Sequence, residues 1–252
     1  MKDFFSLFWL GIRTYKDAIR FVGNNRLWHF FIPPLILSAL ILWGTWALDQ
    51  KISKIDFSEV DSLRELINYL MKNLILASIV MMGYKLRKYI VFIVLSPMLT
   101  HLSLKTELLI TGNTYKSDWA QFWKDIKRAL RIATGNFILE YSIFAAWYIF
   151  ILFVADARPL TPFFLFAVGC YFYGFSMMDY VNERRRLNIE KSVEFVREHA
   201  GFAIGNGFVF SAMFFIPYDI GVIFAPVLAV IAGTIGMHEI VDLNKNPYAQ
   251  KD

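Results

Sequence analysis

Long apolar blocks, separated by basic stretches, dominate the chain. Phe30–Leu48 (FFIPPLILSALILWGTWAL) carries no charge, and about 20 such residues suit a ~30 Å hydrocarbon core. Pro33 and Pro34 fall near its start, where a missing N–H costs least, so a spanning helix is predicted over 30–48. Five basic residues precede it, without the short apolar run and small-residue cleavage site of a signal peptide; it reads as a retained span. A second span is predicted over 66–84. Lys85, Arg87 and Lys88 follow it, and three bases suit an interface better than mid-bilayer. The helix is therefore expected to continue to about residue 99 as an amphipathic stretch.

The remaining apolar blocks come in pairs. The first hairpin is predicted over 137–178, with Asp156, Ala157 and Arg158 at its joint. The second covers 202–237, with Pro217 as the joint and a short first arm. Both full crossings and hairpins that enter and leave by one face fit these lengths. In Phe4–Val22, Phe4, Phe5, Phe8, Ile12, Tyr15, Ile19 and Val22 recur at three- and four-residue steps, opposite Arg13, Lys16, Asp17 and Arg20. That pattern predicts an amphipathic helix lying on anionic headgroups. Asn188–His199 reads as a solvated helix. The fold class expected is an all-α integral membrane protein: one membrane domain over 1–252, with two long spans, two hairpins and tails at 1–29 and 238–252.

Composition agrees, with 57% hydrophobic, 17% aromatic and only 19% charged residues. Soluble domains average about 45–50% apolar and about 25% charged, so soluble enzyme, disordered tail and disulfide scaffold are excluded as first readings. The lone Cys170 has no partner for an internal disulfide. The net charge of +5 points to basic cytosolic loops and not to nucleic acid. Lys and Arg concentrate in 1–29, 85–135 and 180–200, which places these segments and both termini in the cytosol.

Candidate chemistry is sparse. His29, His101, His199 and His238 are isolated, and no metal-ligand spacing, phosphate-binding glycine loop or nucleophile motif occurs. Neither an enzyme nor a bound cofactor or metal is expected. Glu140 sits inside a hairpin arm, Asp179 ends another and Asp219 follows Pro217. Charges at such depth are costly unless paired or hydrated. Arg184, Arg185 and Arg186 form the densest basic run, read as headgroup anchors or as an electropositive vestibule for anions. Gly201, Gly205 and Gly207 open the second hairpin at the spacing that lets membrane helices approach closely.

Three stretches carry a resemblance. Ser96–Gly112 (SPMLTHLSLKTELLITG) resembles the segment after the second span in the CysZ family of sulfate permeases, grouped with the etoposide-induced membrane proteins. DYVNERRR, starting at Asp179, is similar to that family's Asp-Tyr-Pro motif, with Val181 in place of Pro. Gly201 through Ile216-Pro217 to Thr234 looks like its closing hairpin. The resemblance covers about Arg26 to Met237. It implies two long spans plus two hairpins entering from the cytosolic face, homo-oligomers, a bacterial inner-membrane location, and sulfate or sulfite entry that feeds cysteine synthesis. In that family a Gly-Ile/Leu-Arg-Arg motif before the first span contacts sulfate. The matching positions here are Arg26, Leu27, Trp28 and His29, so the glycine and the arginine pair are replaced.

The expected anion-binding residues are thus Arg26 and His29, followed by Lys85, Arg87 and Lys88. Glu140 and Asp179 are expected to pair with these bases or to tune proton coupling. The rival is a membrane scaffold that transports nothing and instead shapes the bilayer or holds a partner.

Overall fold

The computed structural model describes residues 3–52, 94–115, 119–216 and 220–251. The second predicted span at 66–84, with Lys85, Arg87 and Lys88, lies outside the described residues. The chain is an all-α integral membrane protein. Helix α1 (Phe4–Asn24) leads through a 3-10 turn (Leu27–Phe31) into α2 (Ile32–Ile52). A third helix, α3, covers 94–111. Helices α4 (Trp119–Phe153), α5 (Thr161–Arg184), α6 (Ile189–Glu198), α7 (Ala200–Met213) and α8 (Ile220–Ile240) follow. The described β-structure is one antiparallel pair of two-residue strands, β1 (Asn113–Thr114) and β2 (Gln250–Lys251). Leu27–Gly44, Leu130–Phe153, Ala155–Arg184 and Ile220–Ile240 are long and apolar enough to cross a membrane.

The chain divides into two compact units, Ile32–Leu95 and the remainder, Met1–Phe31 with Ser96–Asp252. In the smaller unit α2 starts with Pro33 and Pro34 in its first turn, where the fixed φ of proline fits and no N–H is required. Leu35, Ile36, Leu40, Trp43 and Trp46 are all exposed on it, the surface of a helix that faces lipid.

The larger unit is built around α7, which packs between α1 and α5, with α8 against all three. Its sequence AGFAIGNG puts glycine on two opposite faces. Added Cβ atoms on Gly201 and Gly205 would collide with the carbonyls of Phe4 and Phe8. On the other face, one on Gly207 would collide with the Cys170 carbonyl, and one on Gly174 of α5 with that of Ala203. The helices therefore meet backbone to backbone, the geometry that small residues permit in membranes. Tyr15 Oη donates to the Asn206 carbonyl at 2.9 Å, and Ser103 and Thr234 join α3 to α8 at 2.8 Å. Arg13 pairs with Glu239 of α8 at 2.5 Å.

Helix α1 is amphipathic as expected, but the face it turns to the protein differs from the stripe of large apolar residues. The buried face is Leu7, Leu10, Gly11, Thr14, Tyr15, Ala18 and Val22, whereas Phe4, Phe5 and Ile19 of the expected apolar face are exposed. Gly11 sits on that face because α7 lies too close there for any side chain: a Cβ on it would meet the Asn206 nitrogen at 2.5 Å. The helix is a member of the bundle along its length.

Helix α4 begins well before residue 137 and is followed by α5 after a 3-10 turn, Ala155–Leu160. At 1.5 Å per residue its 35 residues extend about 52 Å. Trp147 stacks on Phe164 at 4.1 Å and donates to Thr161 Oγ1 at 3.1 Å, closing the hairpin near its turn. Ile138, Leu139, Ile149, Leu152 and Phe153 stay exposed.

Gly207→Ala is expected to cost about 1–3 kcal/mol or more, since only backbone could yield. Gly135→Ala in α4, where a Cβ meets nothing within 4 Å, should stabilise by about 0.5–1 kcal/mol. Melting curves of both variants in the same detergent check the contrast.

Candidate functional site

The turn between α1 and α2 presents two of the expected anion ligands. Leu27, Phe30 and Phe31 are buried, and Phe31 packs on Phe224 of α8 with ring centroids 5.1 Å apart. These anchors leave Arg26, Trp28 and His29 exposed. Phe30 lies between two histidines: its ring is 4.3 Å from His29 and 5.9 Å from His101 of α3. The sequence showed His101 only as an isolated residue, and the fold brings it to this turn. Arg26 has φ of 54°, in the left-handed region where glycine is at ease and other residues are strained. It occupies the position at which the resembling motif has glycine, so the backbone explains that glycine. Lys85, Arg87 and Lys88, the other expected ligands, fall outside the described residues.

Glu140 is buried although its neighbours Leu139 and Tyr141 are exposed. Its Oε1 lies 3.7 Å from where a Cβ on Gly169 would be. The missing side chain on α5 makes room for the carboxyl, which points at protein and away from lipid, as intramembrane acids do.

Asp179 is held by a base outside the expected set. Arg128 of α4 donates to Asp179 Oδ1 at 2.8 Å and, through its other terminal nitrogen, to the Leu187 carbonyl at 2.6 Å. Ser192 of α6 donates to the same Oδ1 at 2.6 Å, and Asn182 donates to Ser192 Oγ at 3.0 Å. The result joins α4, α5 and α6, so Asp179 acts here as a structural carboxylate. Among the described residues the base paired with Asp179 is Arg128, and not Arg26 or His29 as expected, because the fold sets the polar part of α4 beside the end of α5.

The three consecutive arginines each hold a different segment. Arg184 Nε donates to Glu107 Oε2 of α3 at 2.7 Å, with side-chain exposures of only 6% and 0%. Glu107 also accepts from Tyr115 Oη and from Asn113 Nδ2 at 3.1 Å. Arg185 lies over the Phe195 ring of α6 at 4.7 Å and donates to Asn182 Oδ1 at 3.1 Å; burial lowers its pKa. Arg186 lies over Tyr248 at 4.6 Å. It too has φ of 54°, as the left-handed residue that ends α5: the Arg186 N–H bonds the Glu183 carbonyl and the Leu187 N–H the Asn182 carbonyl. Each of these arginines thus contacts a protein group: Arg184 a carboxylate, Arg185 an amide oxygen and a ring, and Arg186 a ring while staying exposed. Sequence reasoning passed over Arg128, and met Glu107 only as part of the resembling stretch Ser96–Gly112, without a role. Among the described residues no group of three or more His, Cys, Asp or Glu is placed to hold a metal ion.

Burial, then the hydrogen bond to Glu107, push the Tyr115 phenol well above its ordinary range. A folded pKa above the unfolded one gives stability that is complete below the unfolded value, about 10, and is lost as pH rises through the folded value. The melting temperature should therefore fall above about pH 10, and Tyr115→Phe should lose less over the same window. Glu107→Gln strands the buried Arg184 and should cost about 3–5 kcal/mol. Arg26→Gly relieves a left-handed side chain and should gain about 1 kcal/mol, read as a higher melting temperature.

A comparison with curated protein sequences gives no match. The family model described as "Sulfate transporter CysZ/Etoposide-induced protein 2.4" matches residues 14–234. That range takes in most of α1, the exposed turn, Glu107, the first hairpin, the arginine run and most of the second hairpin. The chain belongs to the CysZ/etoposide-induced protein 2.4 family of membrane proteins.

Proposed function

We propose that the protein is a permease or channel for a small oxyanion of the sulfate or sulfite class, in a bacterial inner membrane, supplying sulfur assimilation. Membership of a family described by a sulfate transporter is the observation that carries this reading. The exposed Arg26 and His29 support it, because a guanidinium donates strong charge-assisted hydrogen bonds to oxyanions and an imidazole N–H is a further donor. Lys85, Arg87 and Lys88 are proposed as further cations on the route. Glu140 is the proposed coupling residue. No cofactor and no enzymatic step enter the proposal.

The basic segments 1–29, 85–135 and 180–200 face the cytosol in this reading, together with both termini. The second hairpin stops within the bilayer: α7 has 14 residues and Phe215 and Ile216 at its end are exposed. The first hairpin ends on Asp156 and Arg158 and reaches further. Exposed Lys16 and Arg20 on α1 meet anionic headgroups, and the working form is a homo-oligomer.

One observation favours a second reading. Trp28 and His29 stand where the resembling motif has its arginine pair, and a scaffold that moves no ion has no need of that pair.

Radiolabelled sulfate uptake into proteoliposomes separates the two. Uptake should exceed that of empty liposomes and fall at least tenfold in Arg26→Ala/His29→Ala. Folded protein that passes no sulfate, sulfite or competing oxyanion supports the scaffold instead.

A further inference from the structure

The segment after α8 lies beyond the family match, which ends at residue 234, yet it is bound to the most deeply buried ion pair among the described residues. Leu243 is 1% exposed, and its carbonyl accepts from Asn113 Nδ2 at 2.8 Å, the same amide that serves Glu107. Its N–H donates to His238 Nδ1 at 3.2 Å. Asn246 Nδ2 donates to Tyr115 Oη at 2.9 Å and reaches the Arg184 carbonyl at 3.4 Å. Tyr248 lies under Arg186, and β2 pairs with β1 at Asn113 and Thr114. The two side chains that donate to Glu107 alongside Arg184, Tyr115 and Asn113, are thus both tied to this segment, as are the Arg184 carbonyl and the Arg186 guanidinium.

The attachment is broad and shallow. Leu243 is the one buried apolar side chain in it, while Asn244, Lys245, Pro247 and Tyr248 are turned to the surroundings or half-exposed. The ladder is two residues long. Segments with few buried apolar contacts and short ladders open at low free energy. The sealed cluster also keeps a cost: Arg184 Nη2 and Asn113 Oδ1 are buried with no hydrogen-bond partner among the described residues, and water would satisfy both on opening.

We propose that residues 243–251 form a strap that seals the Glu107–Arg184–Tyr115–Asn113 cluster from water, and that undocking of the strap opens the cluster to the aqueous phase. The strap then sets when a buried guanidinium and carboxylate are reachable, whichever solute the protein handles. The inference does not depend on the transport reading.

Hydrogen–deuterium exchange on the full chain, on Asn246→Ala/Tyr248→Ala, and on a chain ending at Asp242 tests this. Exchange across 104–112 and 180–187 should rise at least tenfold in both altered chains, with α1 and α7 unchanged. Faster exchange confined to 113–115 and the strap itself, with 104–112 and 180–187 as slow as in the parent, would overturn it. If the shortened chain exchanges everywhere, including α7, it has misfolded. The full-length double variant then decides by the same criterion.

Discussion

Helix α7 touches α1 and α5 with its backbone, and the larger unit follows from that contact. Glycine on both faces brings three helices closer than side chains would allow. In hydrocarbon, apolar side chains gain little by leaving lipid for protein, so dispersion at short range and hydrogen bonds across helices must supply the cohesion. The bond from Tyr15 to the Asn206 carbonyl and the Ser103–Thr234 pair are of that kind. With α1 fixed against α7 and α8, its end is fixed as well, and Phe31 on Phe224 sets where Arg26 and His29 emerge.

Charge is divided between two tasks by burial. Asp179, Arg128, Glu107 and Arg184 are largely withdrawn from the surroundings and form two ion pairs across α3, α4 and α5. Breaking either pair leaves an uncompensated buried charge, which is far more costly than the loss of an exposed contact. Arg26 and His29 make no ion pair with any described residue and stand exposed. The same residue type therefore braces the fold at 184–186 and remains open to solutes at 26.

The all-α membrane fold was legible because the length of an apolar block against the bilayer is a strong signal, and four described helices are long and apolar enough to cross. Three features were not. The inward face of α1 was hidden because it includes Gly11, Thr14 and Ala18, which a search for large apolar residues ignores. The partners of Asp179 and Arg184 sit 51 and 77 residues away, and separation of that kind leaves no periodic trace. The left-handed backbone at Arg26 was concealed because arginine carries no turn signal. The motif comparison alone placed a glycine there, and its significance came from the dihedral.

The central claim is that exposed Arg26 and His29 serve the solute while the arginines ending α5 serve the fold. Sulfate binding and melting temperature measured together on Arg26→Ala/His29→Ala and on Arg184→Ala test it most directly. The account predicts lost binding at an unchanged melting temperature in the first variant and a lower melting temperature in the second. Full sulfate binding by the first variant, with binding lost at an unchanged melting temperature in the second, would contradict it.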